Sequence, residues 1–297
     1  MNPIDALGPK LGSLLATPGA TDVLVNGWQQ VWLERAGFAL ERVVSPFESE
    51  SELAELAQGL IAQGGRHLDQ ANPFADVSLG SPTGGGLRVH AALGSGCNPN
   101  THLSIRVHLN RLFALDQLAD FGMVDVDQLS LLRLILANKE SFLISGATGS
   151  GKTTLLRAML AECVGERIIA LEDVAELAID SANFVSLQTR QSNIEGRGEI
   201  SLERLVRESL RMRPDRLAVG EVRGVELLVM LQALNTGHRG AGATIHANSL
   251  NDVMPRVKAI GRDAGVDTAS IYEQMKSAFQ WVIHVENRKV VAVAKFE

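Results

Sequence analysis

Apolar and polar residues alternate in short runs through the first hundred positions. Asp22-Val-Leu-Val and Gln30-Val-Trp-Leu-Glu read as two strands flanking an Asn26-Gly27 turn signal, an antiparallel pair. From Ser51 to Gln63 the period lengthens, so that Leu53, Leu56, Ala57, Leu60 and Ile61 fall on one helical face, and Gly64-Gly65 supplies the stop. Extended runs return at Asp76–Leu79, Leu87–Leu93 and His102–His108, separated by the turn-rich Ser81-Pro-Thr-Gly-Gly-Gly and Gly94-Ser-Gly-Cys-Asn-Pro-Asn. These elements predict a small α+β domain over residues 1–112.

The pattern turns helical from Leu115 to Asn138. Strands then alternate with helices: Phe142–Ser145, a helix from Lys152, Ile168–Leu171, a helix from Ser201, Leu217–Val219 and a helix from Val225. Such alternation predicts a mostly parallel sheet covered by helices on both faces. The second domain is expected over residues 123–297, with 113–122 as the linker.

Composition narrows the classes. A hydrophobic share of 45% with 21% charged residues excludes a disordered chain, and 297 residues suffice for two packed cores without disulfide or metal staples. No apolar run approaches the roughly 18 residues that span a bilayer, and Met1 to Ala20 lacks the cationic start and apolar core of a secretory signal, so a cytoplasmic location is expected. Cys97 and Cys163 lie without a zinc-like partner spacing and receive no role. A net charge of −6 makes nucleic acid an unexpected partner. Arg204, Arg207 and Arg211 recur at helical spacing without interleaved aromatics, which reads as a subunit contact or a solvated face.

Gly146-Ala147-Thr148-Gly149-Ser150-Gly151-Lys152-Thr153 matches G-x-x-x-x-G-K-S/T in full, and it stands after an apolar strand and before a helix. The mechanism needs that setting. Glycines let successive N–H groups turn inward around a phosphate, and the helix start adds its positive dipole end. Lys152 can reach the β- and γ-phosphates, the Thr153 hydroxyl can hold Mg²⁺, and Thr154 completes the binding run.

Downstream acids decide what such a loop does. Leu217-Ala-Val-Gly-Glu221 is an apolar strand ending in an acid, with Gly220 where many P-loop enzymes carry an Mg²⁺-binding aspartate. Glu172, Asp173 and Glu176 follow the apolar Ile168-Ile-Ala-Leu and therefore also belong at the carboxyl end of a strand, the ligand-binding edge of parallel sheets. An acid there can deprotonate an attacking water or hold a metal-bound one. Glu176 reads more simply as a solvated loop acid. The guanine selector Asn-Lys-x-Asp is missing, since Asn138-Lys139 continues as Glu-Ser ahead of the loop, which disfavours a GTP switch.

Four linked motifs resemble the type II/IV secretion traffic ATPases in order and spacing. They are the P-loop; Leu171-Glu-Asp-Val-Ala-Glu; Leu210-Arg-Met-Arg-Pro-Asp-Arg-Leu-Ala-Val-Gly-Glu-Val-Arg-Gly; and Asn235-Thr-Gly-His-Arg-Gly-Ala-Gly-Ala-Thr-Ile-His-Ala-Asn-Ser. Among these ATPases the chain looks most like the tight-adherence (Flp) pilus assembly branch, near the conjugative type IV secretion ATPases. The resemblance implies a RecA-like P-loop NTPase domain of α/β class preceded by a smaller α+β domain, with ATP and Mg²⁺ as cofactors. It implies a catalytic Glu172, a Walker B Glu221 that shares the metal with Thr153, and a histidine box at His238 and His246, with Thr244 beside the latter. It also implies Arg88 and Arg106 as small-domain arginines that reach the nucleotide phosphates. As partners it implies a homo-oligomeric, hexameric ring and a polytopic inner-membrane platform protein, with peripheral attachment to that membrane. The chain starts close to the small domain, so the resemblance does not imply docking through the long amino-terminal extension of many relatives. It also lacks the four-cysteine zinc insertion of many type II secretion ATPases, which disfavours that branch. A DNA-translocating motor is the more distant alternative.

Overall fold

The computed structural model describes residues 7–80, 86–95, 98–108, 112–190 and 197–296. Cys97 and part of the Glu195–Glu199 loop lie outside them. Two compact units result, one over residues 7–108 and one over 112–190 and 198–296.

The first unit is built on a six-stranded antiparallel sheet. Its strands are β1 (Ala20–Asn26), β2 (Val31–Arg35), β3 (Glu41–Val43), β4 (Phe74–Gly80), β5 (Gly86–Ala92) and β6 (His102–His108), in the order β3-β2-β1-β6-β5-β4. Strict alternation sends Val23, Val25, Leu87, Val89, Leu103 and Ile105 to one buried face. Two helices cover that core, α1 (Gly8–Leu15) through Leu11 and Leu15, and α2 (Glu50–Gln63) through Leu53, Ala57, Leu60 and Ile61. Ser49 caps α2 by accepting the Glu52 N–H. The β1–β2 connection runs from Gly27 to Gln30 rather than through a two-residue turn. Gly27 has φ +78° and gives its N–H to the Thr101 carbonyl, so the neighbouring β6 segment sets the loop.

The second unit begins with α3 (Leu115–Asp120), inside the stretch read as a linker, and seats Leu115 and Leu118 in this unit's core. Its further helices are α4 (Val126–Ala137), α5 (Lys152–Ala161), α6 (Leu202–Ser209), α7 (Glu226–Asn235), α8 (Val253–Asp263) and α9 (Thr268–Ala278). Its strands are β7 (Phe142–Gly146), β8 (Ile168–Glu172), β9 (Phe184–Gln188), β10 (Arg216–Val222), β11 (Gly242–His246), β12 (Trp281–Glu286) and β13 (Lys289–Lys295). They order as β13-β12-β7-β11-β10-β8-β9, all neighbours parallel except the β12–β13 hairpin. Side chains of α3, α4 and α5 pack one face and those of α6 to α9 the other. All five residues of β7 and of β8 are therefore buried, as two-sided cover demands.

Candidate functional site

Parallel pairing brings the carboxyl ends of β7, β11, β10 and β8 to one sheet edge. Gly146 ends β7 and turns into the P-loop. A Cβ there would lie 2.3 Å from the Val285 carbonyl oxygen and 2.6 Å from Ser150 Oγ, so only glycine lets the loop leave the sheet at that point. The loop closes at Gly151, φ +103°, the residue before α5. Lys152 is buried, and its Nζ donates to the carbonyls of Gly146 and Ala147 at 2.9 and 2.8 Å. Burial holds the ammonium below the ordinary lysine range, while the Glu221 charge pulls it back up. Ser150 Oγ is buried with no hydrogen-bond partner among the described residues. Thr153 and Thr154 open α5 half-buried.

The ends of the two acid-bearing strands lie side by side. Leu171 of β8 stands opposite Val219 of β10, so Glu172 and Gly220 follow one step further along. The Glu172 side chain lies over Gly220: a Cβ on Gly220 would come within 2.9 Å of its Cγ. Glycine at this position is thus a space requirement, and an aspartate could not share it with Glu172. Glu172 Oε1 accepts the N–H groups of Glu176 and Leu177, both at 3.0 Å, and Oε2 is buried without a partner among the described residues. Burial pushes this carboxyl up to about 7, against the pull of those two N–H groups. A carboxyl so poised can take a proton near neutral pH.

Glu221 is half-buried and paired with Arg223, whose Nε donates to Glu221 Oε2 at 3.0 Å. The same guanidinium reaches Asp173 Oδ2 at 3.4 Å, and Asp173 accepts the Thr189 hydroxyl at 3.0 Å. Arg223 therefore joins the two acidic motifs. Arg223 lies just past the end of β10 and stands in the Gly-Glu-Val-Arg-Gly run without a role assigned from the sequence.

Of His238 and His246, the fold brings the second to this edge. His246 ends β11 exposed, directly opposite Gly146. Beside it Thr244 is buried, and its hydroxyl donates to the Gly220 carbonyl. His238 lies apart from them within this chain. It precedes β11, beside the loop whose Gly240 abuts the guanidinium of Arg216, the first residue of β10, and its Nδ1 bonds the Ala233 carbonyl at 3.2 Å. Because β11 crosses the sheet from edge to edge, about 13 Å of strand, at ~3.3 Å per residue, separates its start from His246.

Arg88 and Arg106 are register partners on neighbouring strands of the first unit. Both are exposed and paired in the sheet face, Arg88 with Asp76 at 3.2 Å and Arg106 with Asp22 at 2.8 Å.

One part of the site came from a region with no sequence assignment. The tip of the β12–β13 hairpin, Asn287 and Arg288, lines a cavity of about 320 Å³ together with Ala147, Thr148, Gly149 and Ser150.

A glycine-rich loop between a central parallel strand and a helix, with acids at the ends of β8 and β10 and a further strand, β11, between β10 and the loop strand, defines a RecA-like P-loop domain; here it follows a smaller α+β unit. The chain belongs to the type II/IV secretion system protein family, whose model matches residues 10–290. It is 44% identical over 278 residues to a putative conjugal transfer protein of Mycobacterium tuberculosis, covering 93% of this chain and 79% of that one. It is 31% identical over 270 residues to the conjugal transfer protein TrbB of Rhizobium radiobacter, covering 88% and 78%. Among solved structures, the Legionella pneumophila ATPase DotB superposes with a TM-score of 0.65 at 20% identity, covering 100% and 82%. The VirB11 ATPase of the Brucella suis type IV secretion system superposes at 0.51 with 22% identity, covering 98% and 97%. At such identities the structures speak for the fold. Among the described residues no helix is long and apolar enough to cross a membrane.

Proposed function

We propose that this chain is an ATP-hydrolysing motor of a type II/IV secretion machine. The observation that carries the reading is Glu172: a buried carboxyl with one oxygen held by two N–H groups, the other without a partner, and a proton affinity near neutrality, at the edge that carries the P-loop.

The residues fit a nucleoside triphosphate with its metal. The loop has a glycine where any side chain would collide, an unpartnered buried hydroxyl at Ser150, and a lysine already aimed into its own carbonyls. Residues 146–154 would hold the phosphates, and Thr153 with Glu221 the Mg²⁺, which when bound neutralises charge on the phosphate oxygens. Within the chain, Glu172 accepts the proton of the attacking water. Lys152 exchanges its loop carbonyls for phosphate oxygens. His246, next to the first loop residue, donates a hydrogen bond that distinguishes an occupied from an emptied γ-position. Arg223 holds Glu221 in place between turnovers.

Arg88 and Arg106 are proposed to serve the same reaction from the first unit, exchanging Asp76 and Asp22 for phosphate oxygens. Assembly into a hexameric ring at the cytoplasmic face of the inner membrane, against a polytopic platform protein, completes the proposal. Two cargos are supported by different observations. The linked motifs favour tight-adherence pilus assembly; the names of the M. tuberculosis and R. radiobacter relatives favour conjugal type IV transfer. A neighbouring pilin gene selects the first, a neighbouring relaxase gene the second. The reaction itself is tested by Lys152→Ala, which is expected to lose ATP hydrolysis in a phosphate-release assay; full activity in that variant would sink the proposal.

A further inference from the structure

We propose that the β12–β13 hairpin tip is a second wall of the nucleotide site and that the Arg288 guanidinium binds the polyphosphate there. The inference rests on the ATP-binding reading above and adds to it a residue from the far end of the chain.

The backbone supplies the first reason. Glu286 and Lys289 pair across the ladder, so Asn287 and Arg288 alone make the turn, and both are left-handed, with φ +47° and +61°. Two-residue hairpin turns of this kind favour Asn-Gly, because the second position also needs positive φ and any Cβ there is penalised. Asn287 obeys the rule and Arg288 breaks it. The fold gains nothing visible in return: Arg288 is exposed, and its guanidinium makes no hydrogen bond or ion pair among the described residues. A local rule broken without a packing gain is characteristic of a functional position.

Placement supplies the second. The Arg288 N–H donates to the Ser150 carbonyl at 3.1 Å, which joins the tip to the P-loop. The cavity the two share is lined, among the described residues, by 147–150, Asn287 and Arg288, a wall with one guanidinium and no acid. Such a lining suits an anion, and its volume of about 320 Å³ lies at the lower end of the roughly 300–1,000 Å³ of small-ligand sites.

The tip is also held in register with the loop. Ser145, the residue before Gly146, bonds His284 Nδ1 at 2.8 Å, and His284 Nε2 meets Glu286 Oε1 at 3.1 Å, one residue short of the turn. On the other side Val290 gives its N–H to the Met123 carbonyl at 2.7 Å and accepts from Gln128 Nε2 at 3.0 Å. A guanidinium carried on a braced tip is preorganised.

The test uses the full chain, with Arg288→Gly and Arg288→Lys, and measures binding of Mg-ATP and of inorganic tripolyphosphate by calorimetry beside the melting temperature. Arg288→Gly restores the favoured turn pair, so its Tm should equal or exceed the parent's, while both ligands bind roughly tenfold more weakly, the loss of one charge-assisted contact. Arg288→Lys should recover part of that loss. Unchanged affinity for both ligands would overturn the proposal. So would a loss confined to ATP, which would put Arg288 on the nucleoside, or a fall in Tm, which would give the guanidinium to the fold. If the parent binds neither ligand, the ATP reading fails first; if the parent binds, Lys152→Ala does not and Arg288→Gly matches the parent, only this inference fails.

Discussion

Replacing Glu172 by glutamine keeps the size of the side chain and the acceptor for the Glu176 and Leu177 N–H groups, and removes the titration. The carboxyl is 3% exposed and is moved from an ordinary 4.5 to about 7. At roughly 1.4 kcal/mol per pH unit, ionising it costs about 3 kcal/mol more in the folded than in the unfolded chain. The sign follows from proton counting: between pH 4.5 and about 7 the folded state holds a proton that the unfolded state has released, so stability falls as pH rises through that window and levels above it. Glu172→Gln should therefore gain on the parent with rising pH, by up to about 3 kcal/mol near pH 8, an upper bound because its amide NH₂ meets no acceptor where Oε2 now lies. Urea unfolding from pH 5 to 8.5, followed by Trp281 fluorescence in a Trp28→Phe, Trp32→Phe background, isolates the second unit. The same variant should bind ATP and fail to hydrolyse it. A stability difference that stays flat with pH, or hydrolysis at the parent rate, would refute the assignment of Glu172 as a buried, protonatable base.

Gly220→Ala places a Cβ within 2.9 Å of Glu172 Cγ, and differential scanning calorimetry should register a loss of about 1–3 kcal/mol in the second unit, with kcat falling more than KM changes; an unaltered melting profile would contradict the packing. Arg88→Ala and Arg106→Ala remove exposed pairs, so stability should move by less than about 1 kcal/mol, while turnover slows more than ATP binding weakens. Parent-like turnover in both would dismiss the role proposed for these arginines.

What could be read in the sequence was whatever chemistry or a cap fixes to a residue type. The P-loop was legible because glycine, lysine and threonine have no packing reason to share that register, and α6 because Ser201 caps it by accepting the Arg204 N–H. The small helix α1 and the three-residue β3 are too short to carry a period. The hairpin of β12 and β13 was missed for another reason. Trp281-Val-Ile-His-Val-Glu is nearly continuously apolar, as a strand buried on both faces must be, and the turn after it lacks the glycine that announces such turns. His238 and His246 look like one box because eight positions separate them in a single motif. No spacing rule reveals that a strand running the depth of the sheet lies between.

The order of strands also accounts for the odd residue at position 220. Neighbouring strands lie ~4.8 Å apart, so the insertion of β11 sets the end of β10 roughly 10 Å from the loop strand β7, and that of β8 roughly 14 Å. The gap above β11 has His246 at its floor, opposite Gly146, and Thr244 is already committed to the Gly220 carbonyl. A short acid on β10 would stand nearest to that gap, but this chain leaves the place to glycine and fills it from the next strand with the longer Glu172. Over Gly220 the Glu172 side chain is buried, and burial is what moves its proton affinity toward neutrality. The glycine and the perturbed acid are therefore one device: the first makes room for a side chain whose function depends on how little room is left around it.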